Sequence, residues 1–363
     1  MNNAVAIVPD TLTKFGKPRI WELDFLRGIS ILLMCADHLF YDVYYLFGAN
    51  WSRSSSPFLL SFYDASRFYF GYHEKSILFS GGVMAYAEFV FLWFILAAVT
   101  LSFVVRAIQK KGVFNKQETK NYISAFVSVA LCIAGISLVH TAFGYKLLDG
   151  TSLREFIHVV ILWVFFVLCG EGCYFSKSNF KRAFLIGLCA AAISAVTILG
   201  EEVLDIQGIA VRYGVLHMLA TAVFIFAVIQ WICRLLIKDE EKRKYVISAV
   251  CFILGVITYG LNQGLWGVET LTKTDALAWF HYAFAENFRS SDWFTLSENL
   301  HRVLFGAAIA PFVYPDRKSY IPALTPLNRG VVCFLGRKTL WIVLAHQIII
   351  YLFLTLLSGI ATA

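Results

Sequence analysis

Continuous apolar blocks of roughly twenty residues recur along nearly the whole of this sequence. A helix of that length spans a hydrocarbon core about 30 Å thick, and only helices or closed barrels satisfy the backbone within lipid. Because the apolar residues are continuous and do not alternate with polar ones, the pattern favours helices over a barrel. The sequence therefore predicts an all-α fold, a polytopic membrane helical bundle of about nine transmembrane helices, in a range of about 8 to 11. The predicted spans are residues 24–47, 82–105, 122–143, 156–175, 183–200, 213–237, 245–265, 297–314 and 331–358.

The composition and the distribution of charge agree with lipid as the solvent. Only 15% of the 363 residues are charged, against about 25% in soluble domains. The net charge of +7 comes from Lys and Arg that gather before the first predicted span and in every second loop after it. This alternation predicts a cytoplasmic N-terminus and gives no reason to expect a nucleic-acid partner. We expect residues 1–20 to form a cytoplasmic N-terminal segment and residues 21–363 a single transmembrane domain.

The cysteines and histidines give no sign of a metal site. The eight cysteines lie mostly within apolar blocks and form no C-x-x-C pair, so we interpret them as small packing residues. No two histidines have metal-ligand spacing on one predicted helix, and there is no H-E-x-x-H motif. The sequence therefore predicts no metal.

The first predicted span carries several charged or titratable residues, which are costly in lipid. An Arg or Asp at the centre of a transmembrane helix costs about 2.5–3.5 kcal/mol. Arg27 and His38 are eleven residues apart, which is about three helical turns or about 16 Å along one face. Asp42 and Asp24 share that face, whereas Asp37 points about 100° away from it. This polar face predicts a functional site that looks into protein or water.

The order of these groups suits acid–base chemistry, although other interpretations remain open. Arg27, near the predicted cytoplasmic end, could bind an anionic cosubstrate. His38 could act as a general base that Asp42 orients and stabilises once protonated. The structural alternative is a buried ion-pair network that fixes helix packing. The functional alternative is a proton-coupled or anion transporter that uses the same Arg, His and Asp side chains.

Two predicted outer loops are long, residues 48–81 and 266–296, and both are rich in aromatic residues. Long ordered loops are often functional. Aromatic rings mixed with acids and amides could form a sugar-binding lid. The alternative is interfacial helices anchored by the same aromatic rings.

Three segments resemble the heparan-α-glucosaminide N-acetyltransferase catalytic-domain family. Residues 23–42, LDFLRGISILLMCADHLFYD, resemble the opening span of that family. Residues 212–219, RYGVLHML, are similar to its Gly-Val-Leu-His/Gln motif. Residues 335–340, LGRKTL, followed by AHQ at 345–347, are similar to its final span. The spacing of an arginine, ten residues and a histidine also matches the signature of the wider transmembrane acyltransferase superfamily.

The resemblance implies acetyl transfer from acetyl-CoA on the cytoplasmic side to a hydroxyl or amine of a cell-envelope carbohydrate. It implies a multi-pass enzyme of the plasma or inner membrane, with acetyl-CoA, a glycan acceptor and the lipid bilayer as partners. A lysosomal member of the family is taken to use a histidine in its first non-cytoplasmic loop, where this chain has only Asn50. His38 is therefore the catalytic candidate. Homo-oligomerisation, O- or N-transfer, and a direct or acetyl-histidine route stay open.

The expected site residues fall into three groups by role. The catalytic group pairs His38 with Asp42, and the cosubstrate group pairs Arg27 with Asp24. The substrate-binding candidates lie in three other regions of the sequence, and for two of them a purely structural role is equally open. These substrate-binding candidates are Arg212, His217, His346 and Asn50.

Overall fold

The computed structural model describes most of the chain, in five continuous ranges and a few single positions. They are residues 20–71, 153–203, 209–260, 292–314 and 328–362, with residues 119, 123, 126, 127, 130, 205 and 319. Every regular element within them is helical. The long helices follow the continuous apolar blocks, as expected for a chain whose backbone must be satisfied within each segment. The elements are α1 Trp21–Tyr45, α2 Gly48–Trp51, α3 Pro57–Phe70, α4 Leu153–Phe175, α5 Asn179–Val203, α6 Val215–Leu236, α7 Glu240–Gly260, α8 Leu296–Val313, α9 Val331–Arg337 and α10 Thr339–Thr362.

The helices follow the predicted spans closely in the described ranges. Five helices there are long and apolar enough to cross a membrane, and they lie in α4, α5, α6, α7 and α10. Helices α1 and α8 coincide with the predicted spans 24–47 and 297–314 to within three residues. The predicted spans 82–105 and 122–143 lie outside the continuous described ranges. The protein is thus a helical membrane protein, while the total of nine spans and their orientation stay predictions.

The last predicted span, 331–358, is not one helix, which corrects the sequence interpretation. Helix α9 ends at Arg337, and α10 begins at Thr339. Between them, Lys338 adopts φ −103° and ψ 13°, and the Thr339 hydroxyl donates to the Gly336 carbonyl at 2.7 Å. That hydroxyl satisfies a carbonyl in the last turn of α9, where carbonyl groups have no hydrogen-bond partner within the helix.

Helix α9 lies against the first turns of α1 with the two backbones in contact. A Cβ atom placed on Gly336 would collide with the backbone carbonyl of Asp24, and one on Gly28 would collide with the carbonyl of Val332. Small residues allow helices in membranes to approach this closely. The contact fixes the end of α1 that carries Asp24 and Arg27.

The chain divides into two compact units. One comprises Met1–Phe91, Lys146–Phe165 and Asp316–Ala363, and the other comprises Leu92–Tyr145 and Phe166–Pro315. In the first unit, α2 and α3 pack against α1 and α10 through an apolar cluster of buried residues. The Trp51 indole at its centre donates to the Ser358 hydroxyl at 2.7 Å. The buried members of the cluster are Val43, Trp51, Leu59 and Leu354.

In the second unit, α5 packs on α6 and α7 packs on α8. The second half of α4 meets α8 at two glycines, because Cβ atoms on Gly170 and Gly306 would collide with the carbonyls of Val303 and Val167. Gly255 of α7 similarly faces the ring of Phe305. These close contacts again rest on the small side chains that membrane helices use for packing.

Candidate functional site

The first unit brings together two histidines from opposite ends of the sequence. The rings of His38 on α1 and His346 on α10 meet edge to face, with centroids 4.7 Å apart and an interplanar angle of 68°. His346 Nδ1 lies 2.9 Å from the Val343 carbonyl and 3.2 Å from the Ile342 carbonyl, both on its own helix. Because a carbonyl oxygen only accepts, Nδ1 must carry the proton, and Nε2 presents a lone pair.

The Nε2 atom of His346 is buried and makes no hydrogen bond within the part of the chain that the structure describes. Buried polar atoms in proteins nearly always have a partner. The lone pair at Nε2, held in a fixed tautomer beside a second imidazole, is therefore available to accept a hydrogen bond.

The Asp42 carboxylate is held by a glutamine and not by His38. Gln347 Nε2 donates to both carboxylate oxygens of Asp42, at 3.0 and 2.9 Å, and Asp42 is buried. Among the described residues, no hydrogen bond joins His38 to Asp42. The two share a face of α1, as their spacing predicts, but each takes its partner from α10: His38 meets His346, and Asp42 meets Gln347.

Asp37, which the helical geometry places away from the polar face, is the centre of a second polar cluster. Arg154 Nε and Nη2 donate to its two oxygens at 3.1 and 3.4 Å, and the Tyr69 hydroxyl donates at 2.9 Å. His158 Nδ1 lies 3.6 Å from the same carboxylate. Arg154 also stands 5.1 Å from the centroid of the Phe70 ring. This cluster joins α1, α3 and α4 beside His38.

Sequence reasoning missed this cluster, although one signal was present. Asp37 is a carboxylate in the middle of an apolar span, and such a group needs a partner. Its partner Arg154 lies 117 residues away, at the start of another helix, and helical periodicity cannot identify a partner at that range. The sequence does point to Gln347, as part of the AHQ segment of the last span, but its partner Asp42 was not predicted, for the same reason.

The two cosubstrate candidates form an ion pair near the start of α1. Arg27 Nη1 lies 3.0 Å from Asp24 Oδ1, with the carboxylate side chain 4% exposed and the arginine 25% exposed. The backbone contact with α9 at Gly336 holds this turn in place. The arginine thus lies near a surface, about 16 Å along α1 from His38.

Two of the substrate-binding candidates, Arg212 and His217, belong to the second unit, where both have intraprotein partners. Arg212 lies 3.2 Å from Glu201. His217 Nδ1 accepts from the Gly214 N–H at 3.2 Å, and its Nε2 lies 3.2 Å from the Ser194 hydroxyl. That hydroxyl donates to the Val211 carbonyl at 2.6 Å. These bonds suit a histidine that ties the start of α6 to α5, and the substrate role stays a prediction.

The fourth candidate, Asn50, lies in the first unit on the short helix α2, and its side chain is exposed. Part of the long loop that contains it, 48–81, is helical, since α2 and α3 lie within it. The loop 266–296 lies almost wholly outside the described residues. In the described ranges no three His, Cys, Asp or Glu side chains form a group that could hold a metal ion.

Comparison with known proteins identifies the family to which this chain belongs. The family model described as Heparan-alpha-glucosaminide N-acetyltransferase, catalytic, matches residues 19–70 and 142–348. No curated protein and no solved structure matches the chain. The matched residues include His38, His346 and both polar clusters around Asp37 and Asp42. Because the match covers well over half of the sequence, the chain belongs to the heparan-α-glucosaminide N-acetyltransferase catalytic-domain family.

Proposed function

We propose that this protein is a membrane acetyltransferase that moves an acetyl group from cytoplasmic acetyl-CoA to a hydroxyl or amine of a cell-envelope carbohydrate, with His38 as general base. The family is one of membrane acetyltransferases. The observation that carries the proposal for this chain is the contact between His38 and His346 inside two apolar helices. We place the enzyme in the plasma or inner membrane, with its N-terminus in the cytoplasm.

In the proposed reaction, the acceptor oxygen or nitrogen attacks the thioester carbonyl while His38 takes its proton. The new C–O or C–N bond forms, the C–S bond breaks, and the CoA thiolate leaves and receives the proton from His38. A direct transfer needs this base, positioning and a hydrogen-bond donor for the oxyanion. An acetyl-histidine intermediate is the second route to the same products.

The ion pair of Asp24 and Arg27 supports binding of the donor. Arg27 is partly exposed, and a guanidinium matches phosphate oxygens in charge and geometry. Asp24 holds the guanidinium toward one side, and α9 holds Asp24 through its contact at Gly336. The thioester arm of acetyl-CoA would extend from there along α1 to His38.

The cluster around Arg154 supports an uncharged, hydroxyl-rich acceptor. Two of the five N–H donors of Arg154 bind Asp37, which compensates the charge, and within the described ranges no hydrogen bond engages its other donors. The guanidinium lies 5.8 Å from the centroid of the Tyr41 ring and 5.1 Å from that of Phe70. Arginine beside aromatic rings offers hydrogen bonds and an apolar face together, as a sugar ring requires. Asn50 stays as a further proposed acceptor contact of the first unit, and the substrate roles of Arg212 and His217 in the second unit stay predictions.

The test is acetyl transfer by the purified full chain in lipid nanodiscs. Acetyl-CoA with a labelled acetyl group is mixed with glycans extracted from a cell envelope, and labelled glycan and free CoA are measured. We expect turnover by the wild type, a loss of about 100-fold or more in His38→Ala, and no change in Thr355→Val. Thr355 is exposed on α10, and its hydroxyl donates to a carbonyl of its own helix. Equal turnover in His38→Ala would remove His38 as the base.

A transporter is the second candidate, because α1 carries the buried carboxylates Asp37 and Asp42 beside histidines. Titratable side chains inside a span are typical of proton relays as well as of enzymes. The same protein in liposomes with an internal pH dye separates the two functions. Proton flux driven by a gradient, without turnover of acetyl-CoA, would favour the transporter.

A further inference from the structure

We infer that His346 is a positioning residue for His38, because its Nε2 accepts a hydrogen bond from the protonated His38 ring during acetyl transfer. The inference rests on the proposed function and adds to it the group that stabilises the charged base. It assigns to His346 the role that the sequence suggests for Asp42.

The hydrogen bonds of His346 fix which of its two nitrogens carries the proton. Its Nδ1 proton is shared between the carbonyls of Val343 and Ile342. Both bonds lie within α10, so they form whether or not any ligand is bound. The ring therefore keeps its lone pair at Nε2 and is ready to accept a hydrogen bond.

The ring of His346 lies close enough to His38 to bond with it. His38 is the neighbouring imidazole, with centroids 4.7 Å apart. At that separation, rotation of the His38 ring about its Cβ–Cγ bond can bring one of its nitrogens toward His346 Nε2 while the Nδ1 bonds of His346 stay in place. Neutral His38 needs no such bond, whereas protonated His38 has two N–H donors to satisfy.

Each oxygen of the two neighbouring carboxylates already accepts a hydrogen bond from another side chain. The oxygens of Asp37 accept from Arg154 and Tyr69, and those of Asp42 accept from Gln347. The buried Nε2 of His346 accepts from no side chain within the described ranges. Of these three neighbouring groups, it is therefore the one with no donor of its own among the described residues, and we assign it to the second donor of His38.

A purely structural role for His346 would depend on Nδ1 alone. Thr355, further along α10, makes the same kind of bond to its own helix, from its hydroxyl to the Tyr351 carbonyl at 2.9 Å. If His346 does no more than this, any side chain that can donate at the Nδ1 position will replace it. If His346 serves His38, the replacement must offer an acceptor at the Nε2 position.

The experiment compares His346→Asn with His346→Gln in nanodiscs. The amide nitrogen of Asn can occupy the place of Nδ1 but reaches no further, whereas the amide of Gln extends to the place of Nε2. We expect kcat to fall about 100-fold in His346→Asn and about 10-fold or less in His346→Gln. The KM for acetyl-CoA should stay within about twofold in both. Thr355→Val serves as the control for loss of a bond within α10.

Equal values of kcat in the two variants, each with the thermal midpoint of the wild type, would overturn the inference while leaving His38 as the base. A His38→Ala variant with full turnover, or a wild type that does not turn over acetyl-CoA, would overturn the proposed function and the inference with it. If His346→Asn does not fold, His346→Ala replaces it. Added imidazole should then restore at least about tenfold of the lost kcat, and an absence of rescue would contradict the inference.

Discussion

At the scale of single residues, the buried carboxylate of Asp42 accepts two hydrogen bonds from the side-chain amide of Gln347. Because Asp42 is buried, removing Gln347 leaves its carboxylate unsatisfied, whereas replacing both partners by apolar groups can be nearly neutral. We expect Gln347→Leu and Asp42→Leu each to lower the free energy of unfolding by about 1–3 kcal/mol. The double variant should lose clearly less than the sum.

This double-mutant cycle can be measured by unfolding in mixed micelles, with Thr355→Val as the reference for an exposed change on α10. Strict additivity would mean that Asp42 and Gln347 do not interact in the folded protein. The cycle reports on stability alone, so it is independent of which acceptor the enzyme uses.

Arg154 offers a test of acceptor binding at the same scale. Lysine keeps the charge near Asp37 but loses the planar fork and its remaining donors. We expect Arg154→Lys to raise the KM for the glycan acceptor about tenfold while the KM for acetyl-CoA stays unchanged. Steady-state kinetics with each substrate varied in turn would show this. A rise in the KM for acetyl-CoA alone would place Arg154 on the donor side instead.

The site illustrates what periodicity can and cannot predict about residues. The ion pair of Asp24 and Arg27 follows directly from a spacing of three within one helix. The contact of His38 with His346 joins two residues that the sequence analysis selected separately. The pairing of Asp37 with Arg154 depends on how α4 lies beside α1, which the sequence of neither helix specifies.

At the scale of the elements, the contact between α1 and α9 rests on two glycines. A methyl group on Gly336 would collide with the Asp24 carbonyl, and the clash falls on backbone that cannot rotate away. We expect Gly336→Ala to lower the thermal midpoint through a loss of about 1–3 kcal/mol. It should also raise the KM for acetyl-CoA, because Asp24 holds Arg27.

Gly359→Ala is the matched control on α10, since a Cβ atom there would meet nothing within 4 Å. It should leave both the midpoint and the KM as in the wild type. Equal midpoints for the two glycine variants would contradict the close backbone contact.

The division of the predicted span 331–358 into α9 and α10 shows why boundaries are harder to predict than helices. Apolar residues lie on both sides of the pair Arg337 and Lys338, so a stretch of high hydropathy long enough to span continues past the break. One tertiary contact and one local bond accompany the break: Gly336 lies against the backbone of α1, and the Thr339 hydroxyl donates to the Gly336 carbonyl. Only the adjacent charges of Arg337 and Lys338 hint at it in the sequence.

At the scale of the whole molecule, lipid makes the fold class easier to predict than the site. Each apolar block must satisfy its own backbone, so the positions of α1, α4, α5, α6, α7 and α8 follow from local composition. The order of polar groups along α1 follows as well, because it depends only on helical rise. Which helices face one another depends on side-chain packing, and local composition contains no signal for it.

The predicted direction of α1 through the membrane links topology to chemistry. The proposed reaction needs the Arg27 end in the cytoplasm, where acetyl-CoA is, and the alternation of basic loops predicts this orientation. An epitope inserted after Ser54, between α2 and α3, should therefore be reached by antibody only from outside intact cells. One inserted after Asp239, between α6 and α7, should be reached only after the cells are opened. Exposure of the first epitope on the cytoplasmic side would mean that Arg27 lies at the opposite end from the cytoplasmic acetyl-CoA. The proposed binding of the donor at that end of α1 would then be wrong, whatever the role of the histidines.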